Sequence, residues 1–150
     1  MEVLEHLPRA ALPSFVADCA SLVRPGGLLV FSTLNRTVKS FAEAIVGAEF
    51  VLSLVPPGTH DWAHFVTPAE LKAMVEAAPG GVRCVDFCGL RPDLNPVAVA
   101  SRVAPEASSG DPKRAALAAL SRWKEDAMDL DVNYICVARK AGGEGKEGET

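Results

Sequence analysis

Basic charge is scarce in this chain: its 150 residues carry 15 Lys and Arg against 19 Asp and Glu, a formal net charge of −4. Such a balance offers no positive field for a nucleic-acid backbone. Cysteine is also sparse. Cys19, Cys84, Cys88 and Cys136 form neither a C-x-x-C pair nor an array of zinc-finger spacing, and they read as reduced, buried thiols of a reducing compartment. No apolar run approaches the roughly 18 to 20 residues that a membrane-spanning helix needs. The start lacks the basic region of a signal peptide, because Glu2 and Glu5 stand there, and it is too acidic for a transit peptide. Also missing is a Gly-rich strand-to-helix turn; Gly142-Gly143-Glu144-Gly145 has no such context around it.

What is present is ample core material, with 49% of residues hydrophobic, enough for one domain. Residues 1–4 read as the end of a buried strand. Residues 9–24 read as a helix with Val16, Cys19, Ala20 and Val23 at helical spacing and Pro13 near its start. Arg24-Pro25-Gly26-Gly27 then turns the chain into Leu28-Leu29-Val30-Phe31-Ser32-Thr33, the continuous apolar run of a parallel strand buried on both faces. Strand, helix, turn and strand make a βαβ unit, which predicts an α/β fold. Ser40 with Glu43 suggests a capping box opening a helix over 41–54, and Thr67-Pro68-Ala69-Glu70 a second one opening a helix to about Ala77. Val82 to Gly89 and Asp131 to Ala138 read as strands. Residues 92–130 read as an Ala, Ser and Pro-rich loop with a short helix near 113–127. The Gly/Glu/Lys-rich tail over 141–150 reads as disordered.

Glu2, Glu5 and His6 are the candidate site. Two carboxylates and an imidazole at i, i+3 and i+4 converge if the backbone curls there, and their mixed oxygen and nitrogen donors suit Mg, Mn or Zn. The residues alone equally allow Glu5 and His6 to decorate the entry to a helix. His60, in Gly58-Thr59-His60-Asp61, reads as a loop-structuring residue and His64 as a partly buried packing residue. The 41–54 segment carries Phe41, Ala44, Ile45, Ala48, Val51 and Leu52 on one wide face, with Arg36 and Lys39 just before it. That pattern fits either packing over the sheet or contact with a membrane surface.

Four segments together resemble one family: Met-Glu-Val-Leu-Glu-His-Leu-Pro at 1–8, Leu-Val-Arg-Pro-Gly-Gly-Leu-Leu-Val-Phe-Ser-Thr-Leu-Asn-Arg at 22–36, Val-Gly-Ala-Glu-Phe-Val-Leu-Ser-Leu-Val-Pro-Pro-Gly-Thr-His-Asp-Trp at 46–62, and Asp-Val-Asn-Tyr at 131–134. The chain resembles the C-terminal half of a ubiquinone-biosynthesis O-methyltransferase. The Pro-Gly-Gly strand is common to many class I methyltransferases; Ser-Thr-Leu-Asn-Arg with Gly-Thr-His-Asp is more specific. The resemblance covers about 1–91 and 131–140, so 92–130 reads as an insertion in a partial methyltransferase domain over 1–140. It implies a class I S-adenosylmethionine-dependent, Rossmann-like sheet whose first strands are missing from this chain. It further implies Met1 lining the adenosylmethionine site and Glu2, Glu5 and His6 holding a divalent metal, most simply Mg. The metal would activate one oxygen of a polyprenylated catechol for methylation.

By the same resemblance, about 40–55 contacts the membrane, other ubiquinone-biosynthesis proteins are potential partners, and no nucleic acid is expected. The implied location is peripheral, on the matrix side of the mitochondrial inner membrane or the cytoplasmic face of a bacterial one. Two other readings stay open: a non-catalytic remnant that binds a membrane or a complex, and an unrelated α/β binding module. Class I enzymes hold the cofactor with a Gly-rich turn and an acidic residue on the ribose, and neither is found here. Titrating S-adenosylmethionine into the 150-residue chain should therefore give no measurable heat of binding; saturable binding would contradict the reading.

Overall fold

The computed structural model of the protein describes residues 3–43, 61–92, 95, 100–101, 118–119, 122–126 and 129–142. The apolar run after the first Pro-Gly-Gly turn is strand β1, Leu28–Leu34. Its neighbour is not the parallel strand expected. β1 pairs antiparallel with β4 (Asn133–Arg139), in a register that sets Thr33 opposite Tyr134 and Phe31 opposite Cys136. Burial alternates accordingly: Leu29, Phe31 and Thr33 face inward, while Leu28 and Val30 are 52% and 61% exposed. A continuous apolar run leaves open whether one face or both will be covered; among the described residues one face is.

The sheet order is β1-β4-β2-β3, with β2 at Arg83–Pro92 and β3 at Trp123–Asp126. β4 is antiparallel to both β1 and β2, so those two run in the same direction on either side of an inverted strand. β3 pairs with β2. It stands where a helix was expected to end near residue 127, and backbone pairing at the sheet edge has overridden the helical propensity of Lys124 and Glu125. Of that expected helix, Ala118 and Ala119 are helical, 123–126 is the strand, and residues 113–117, 120–121 and 127 lie outside those described. The tail beyond Gly142 lies outside them too.

Two helices cover the inner face. α1, Leu12–Leu22, follows a 3-10 turn over Arg9–Ala11, has Pro13 in its first turn, and buries Leu12, Val16 and Ala20, one above the other. Its last carbonyls are capped from far away: Lys140 Nζ donates to Ala20 O and Val23 O, both at 2.9 Å. α3, Pro68–Ala77, starts at a capping box between Thr67 and Glu70 and buries Leu71 and Val75 against α1 and the sheet. Gly80 (φ 90°) and Gly81 (φ 64°) then turn the chain into β2. A Cβ on Gly80 would stand 2.5 Å from Lys140 Cε, so the lysine stem needs this glycine as well as its left-handed φ.

Two expected starts move. Leu4–His6 is a 3-10 turn, so the described part of 1–4 ends in a curl and not in a strand. The capping box after β1 opens at Thr37, whose side chain accepts from Ser40 N, while Ser40 returns the bond to Thr37 N; the three-residue helical turn α2, Val38–Ser40, follows. Ser40 is thus the closing member of the box, and Glu43 is not needed. Residues 44–60, which hold most of the expected 41–54 helix, lie outside the described set.

The core closes around Tyr134, which is fully buried and donates from its hydroxyl to Val66 O at 2.9 Å. Burial pushes this phenol well above its ordinary range, so it stays a donor at every working pH. Tyr134→Phe should leave the Val66 carbonyl unpaired and cost about 1–3 kcal/mol in chemical denaturation; an unchanged midpoint would contradict this.

Candidate functional site

The 3-10 turn over Leu4–His6 sends consecutive side chains to opposite environments. Glu5 is 4% exposed and its Oε2 accepts a 2.7 Å hydrogen bond from Thr33 Oγ1, while His6 is exposed. A carboxylate is seldom buried without a partner, and Thr33 supplies one near the carboxyl end of β1. Glu2 and Met1, the other members of the expected site, lie outside the described residues. Among the described residues no three His, Cys, Asp or Glu side chains gather into a metal-holding group. Glu5 and His6 are therefore brought to one turn, but their convergence is not part of the described geometry.

His60 also lies outside the described residues. Asp61 Oδ1 accepts from Ala63 N and so caps the 3-10 turn Trp62–His64. His64 is half-exposed, with Nδ1 3.9 Å from Asp61 Oδ2. It stands beside the capping carboxylate at the surface.

A polar cluster that the sequence reading passed over lies next to this site. Glu70 is more than a capping residue: its Oε1 accepts from Arg9 Nη2 and Arg36 Nη2, both at 2.6 Å, and its Oε2 from Thr67 N at 2.9 Å. The guanidiniums reach further, Arg9 to the carbonyls of Ala63 and Phe65 and Arg36 to that of Phe65. Val66 N donates to Leu34 O, so residues 63–66 are stitched to the end of β1. On the other side of the same strand end, Asn35 N donates to Val132 O and Asn35 Nδ2 to Leu130 O. Asn35 Oδ1 is buried with no hydrogen-bond partner among the described residues. Lys39 reaches Asp129 and, at 3.5 Å, Asp131. Its local signal was the capping acid alone, since Arg9 and Arg36 precede Glu70 by 61 and 34 positions.

The order of these strands, with one inverted between two that run alike and helices α1 and α3 over one face, is that of the C-terminal half of a class I methyltransferase sheet. No family model matches the sequence. Individual relatives do. The ubiquinone biosynthesis O-methyltransferase of Burkholderia thailandensis is 40% identical over 141 residues, covering 94% of this chain and 48% of the relative. That of Thiobacillus denitrificans is 48% identical over 140 residues, 93% and 48% of the two chains. That of Methylobacterium nodulans is 53% identical over 90 residues, 60% of this chain and 34% of the relative. The chain belongs to the ubiquinone biosynthesis O-methyltransferase family and spans about half the length of the curated relatives it matches.

The Glu70 cluster has a pH signature. Partial burial opposes ionisation, but the Thr67 amide and the Arg36 and Arg9 guanidiniums outweigh it and hold the carboxyl at about 2, below its ordinary 4.5. Its folded pKa is depressed, so its contribution is complete above about 4.5 and is lost as the pH falls towards 2. Glu70→Gln should lower stability at pH 7 by about 1–3 kcal/mol and flatten the acid-unfolding curve in that window. An equal loss at every pH would argue against the charge.

Proposed function

We propose that this chain is the substrate-side part of an S-adenosylmethionine-dependent enzyme that methylates one oxygen of a polyprenylated catechol in ubiquinone biosynthesis. The observation that carries the reading is the similarity to enzymes of that name over 93–94% of the chain. Glu2, Glu5 and His6 are the proposed holders of a divalent cation, with Met1 lining the methyl-donor site. Their donors are those a hard or borderline cation takes. The Glu5–Thr33 bond supports the assignment, because a ligating carboxylate is itself commonly oriented by a hydrogen bond from behind. A divalent cation, when bound, would lower the pKa of a catechol hydroxyl and fix its direction. The protein's own share is positioning: Thr33 holds Glu5 at the end of β1, and the Glu70 cluster fixes the residues on the strand's carboxyl side.

A polyprenyl tail lives in a bilayer, and peripheral membrane contact through about 40–55 belongs to the proposal. Its support among described residues is an exposed apolar group at the entry to that segment. Val38 is 83% exposed, and Phe41 and Trp62 meet edge to face with ring centroids 6.3 Å apart. Trp62 Nε1 donates to Thr37 O while the residue stays partly exposed, an apolar body with its polar group satisfied. The relatives named above are bacterial, which favours the cytoplasmic face of a bacterial inner membrane over the mitochondrial one. The same surface supports the second reading, a membrane-binding module without turnover.

Titrating Mn(II) into the protein and counting free ion by electron paramagnetic resonance tests the site. One ion per chain is expected, weakened by about 100-fold in Glu5→Gln. Wild-type binding that Glu5→Gln leaves intact would remove Glu5 from the site.

A further inference from the structure

Cys84 on β2 and Cys136 on β4 bring their sulfurs to 3.5 Å between two neighbouring strands of the sheet. Their strands are those that lead into and out of residues 93–132, and a bond between them would cross-link the two strands near the start of β2. We propose that Cys84 and Cys136 form a reversible disulfide, a redox staple between β2 and β4. This goes beyond the methyltransferase reading and does not depend on it.

Geometry favours this pair over the other cysteines. Cys136 is fully buried on the inner face and Cys84 partly buried beside it. Cys84 stands opposite Ala138 and Cys136 opposite Phe87, so the two sulfurs meet diagonally across the ladder; Cys88 pairs with Ile135 and its Sγ–H donates to Gly89 O, and Cys19 is on α1. Closing 3.5 Å to the bond length of about 2 Å needs rotation of both side chains. The register shift between Cys84 and Asp86 gives β2 local slack where it is needed.

The roles divide by exposure. Cys84, as thiolate, attacks one sulfur of a small disulfide such as oxidised glutathione, forming a mixed disulfide and releasing one glutathione thiolate. Cys136 gives up its proton and attacks Cys84 Sγ, expelling the second thiolate. Two protein thiols are oxidised to one disulfide, and the small disulfide is reduced to two thiols. Burial raises the pKa of Cys84, and burial and then Cys84 raise that of Cys136. Closure is therefore slower than exchange at an exposed thiol.

Incubating the folded protein with oxidised glutathione at pH 8, alkylating under denaturing conditions and mapping peptides decides the matter. The expected product has lost two hydrogens, links the Cys84 and Cys136 peptides, and keeps alkylated Cys19 and Cys88. It unfolds several degrees higher than the reduced form and reverts with dithiothreitol. Cys19→Ser/Cys88→Ser should give the same link. A persistent glutathione adduct on Cys84, a link to Cys19 or Cys88, or four free thiols after an exposed reference thiol is oxidised would each overturn the proposal.

Discussion

One carboxylate, that of Glu70, holds together three parts of the chain that share no secondary-structure pairing. It takes Arg9 from the segment before α1, Arg36 from the segment after β1, and the first turn of its own helix. Arg9 also donates to the carbonyls of Ala63 and Phe65, and Arg36 to that of Phe65. An isolated surface ion pair is worth little. A carboxylate shared by two guanidiniums and a backbone amide is different, because each partner orients the next and removing one leaves the others facing a half-satisfied charge. The position of residues 63–66 against the end of β1, and with it the wall beside Glu5, follows from this one group.

Beneath it lies an apolar constraint of equal weight. β4 carries Tyr134, Cys136 and Ala138 inward, all fully buried, between the inner residues of β1 and β2. Tyr134 joins the two systems, since its ring packs against Phe87 and its hydroxyl ends on Val66 O in the segment that Arg9 and Arg36 clamp. Polar stitching above and close packing below thus fix the same few residues.

Much of this was legible in the residues. Thr67-Pro68-Ala69-Glu70 opened its helix as written, because the capping box and the first-turn proline are local chemistry that tertiary contacts rarely overrule. The helical stripe of Val16 and Ala20 was legible for the same reason. Strand direction was not. Leu28 to Leu34 is apolar enough for burial on both faces, and its partner is about a hundred residues away. Trp123–Asp126 became a strand through an edge that no local pattern announces. The box at Thr37 lost out in the reading to Ser40 and Glu43, three residues on, since both spacings fit the same rule. In the site, the burial of Glu5 could not be read, because it depends on Thr33, which stands 28 positions away. Glu70 looked like a cap because its two arginines are 61 and 34 positions distant.

The inverted middle strand also has a meaning in time. β1 and β2 are synthesised well before β4, yet each takes its inner neighbour from β4 alone. As the chain leaves the ribosome, the two outer strands of this trio exist without the one that separates them. β2 can pair with β3 as soon as both exist, but β1 and β2 are joined only when β4 inserts between them, a pairing distant in sequence from β1. During that interval Leu29, Phe31 and Phe87 lack the flanking contacts that Tyr134 and Cys136 supply in the finished sheet, and apolar surface that is briefly exposed in this way favours aggregation.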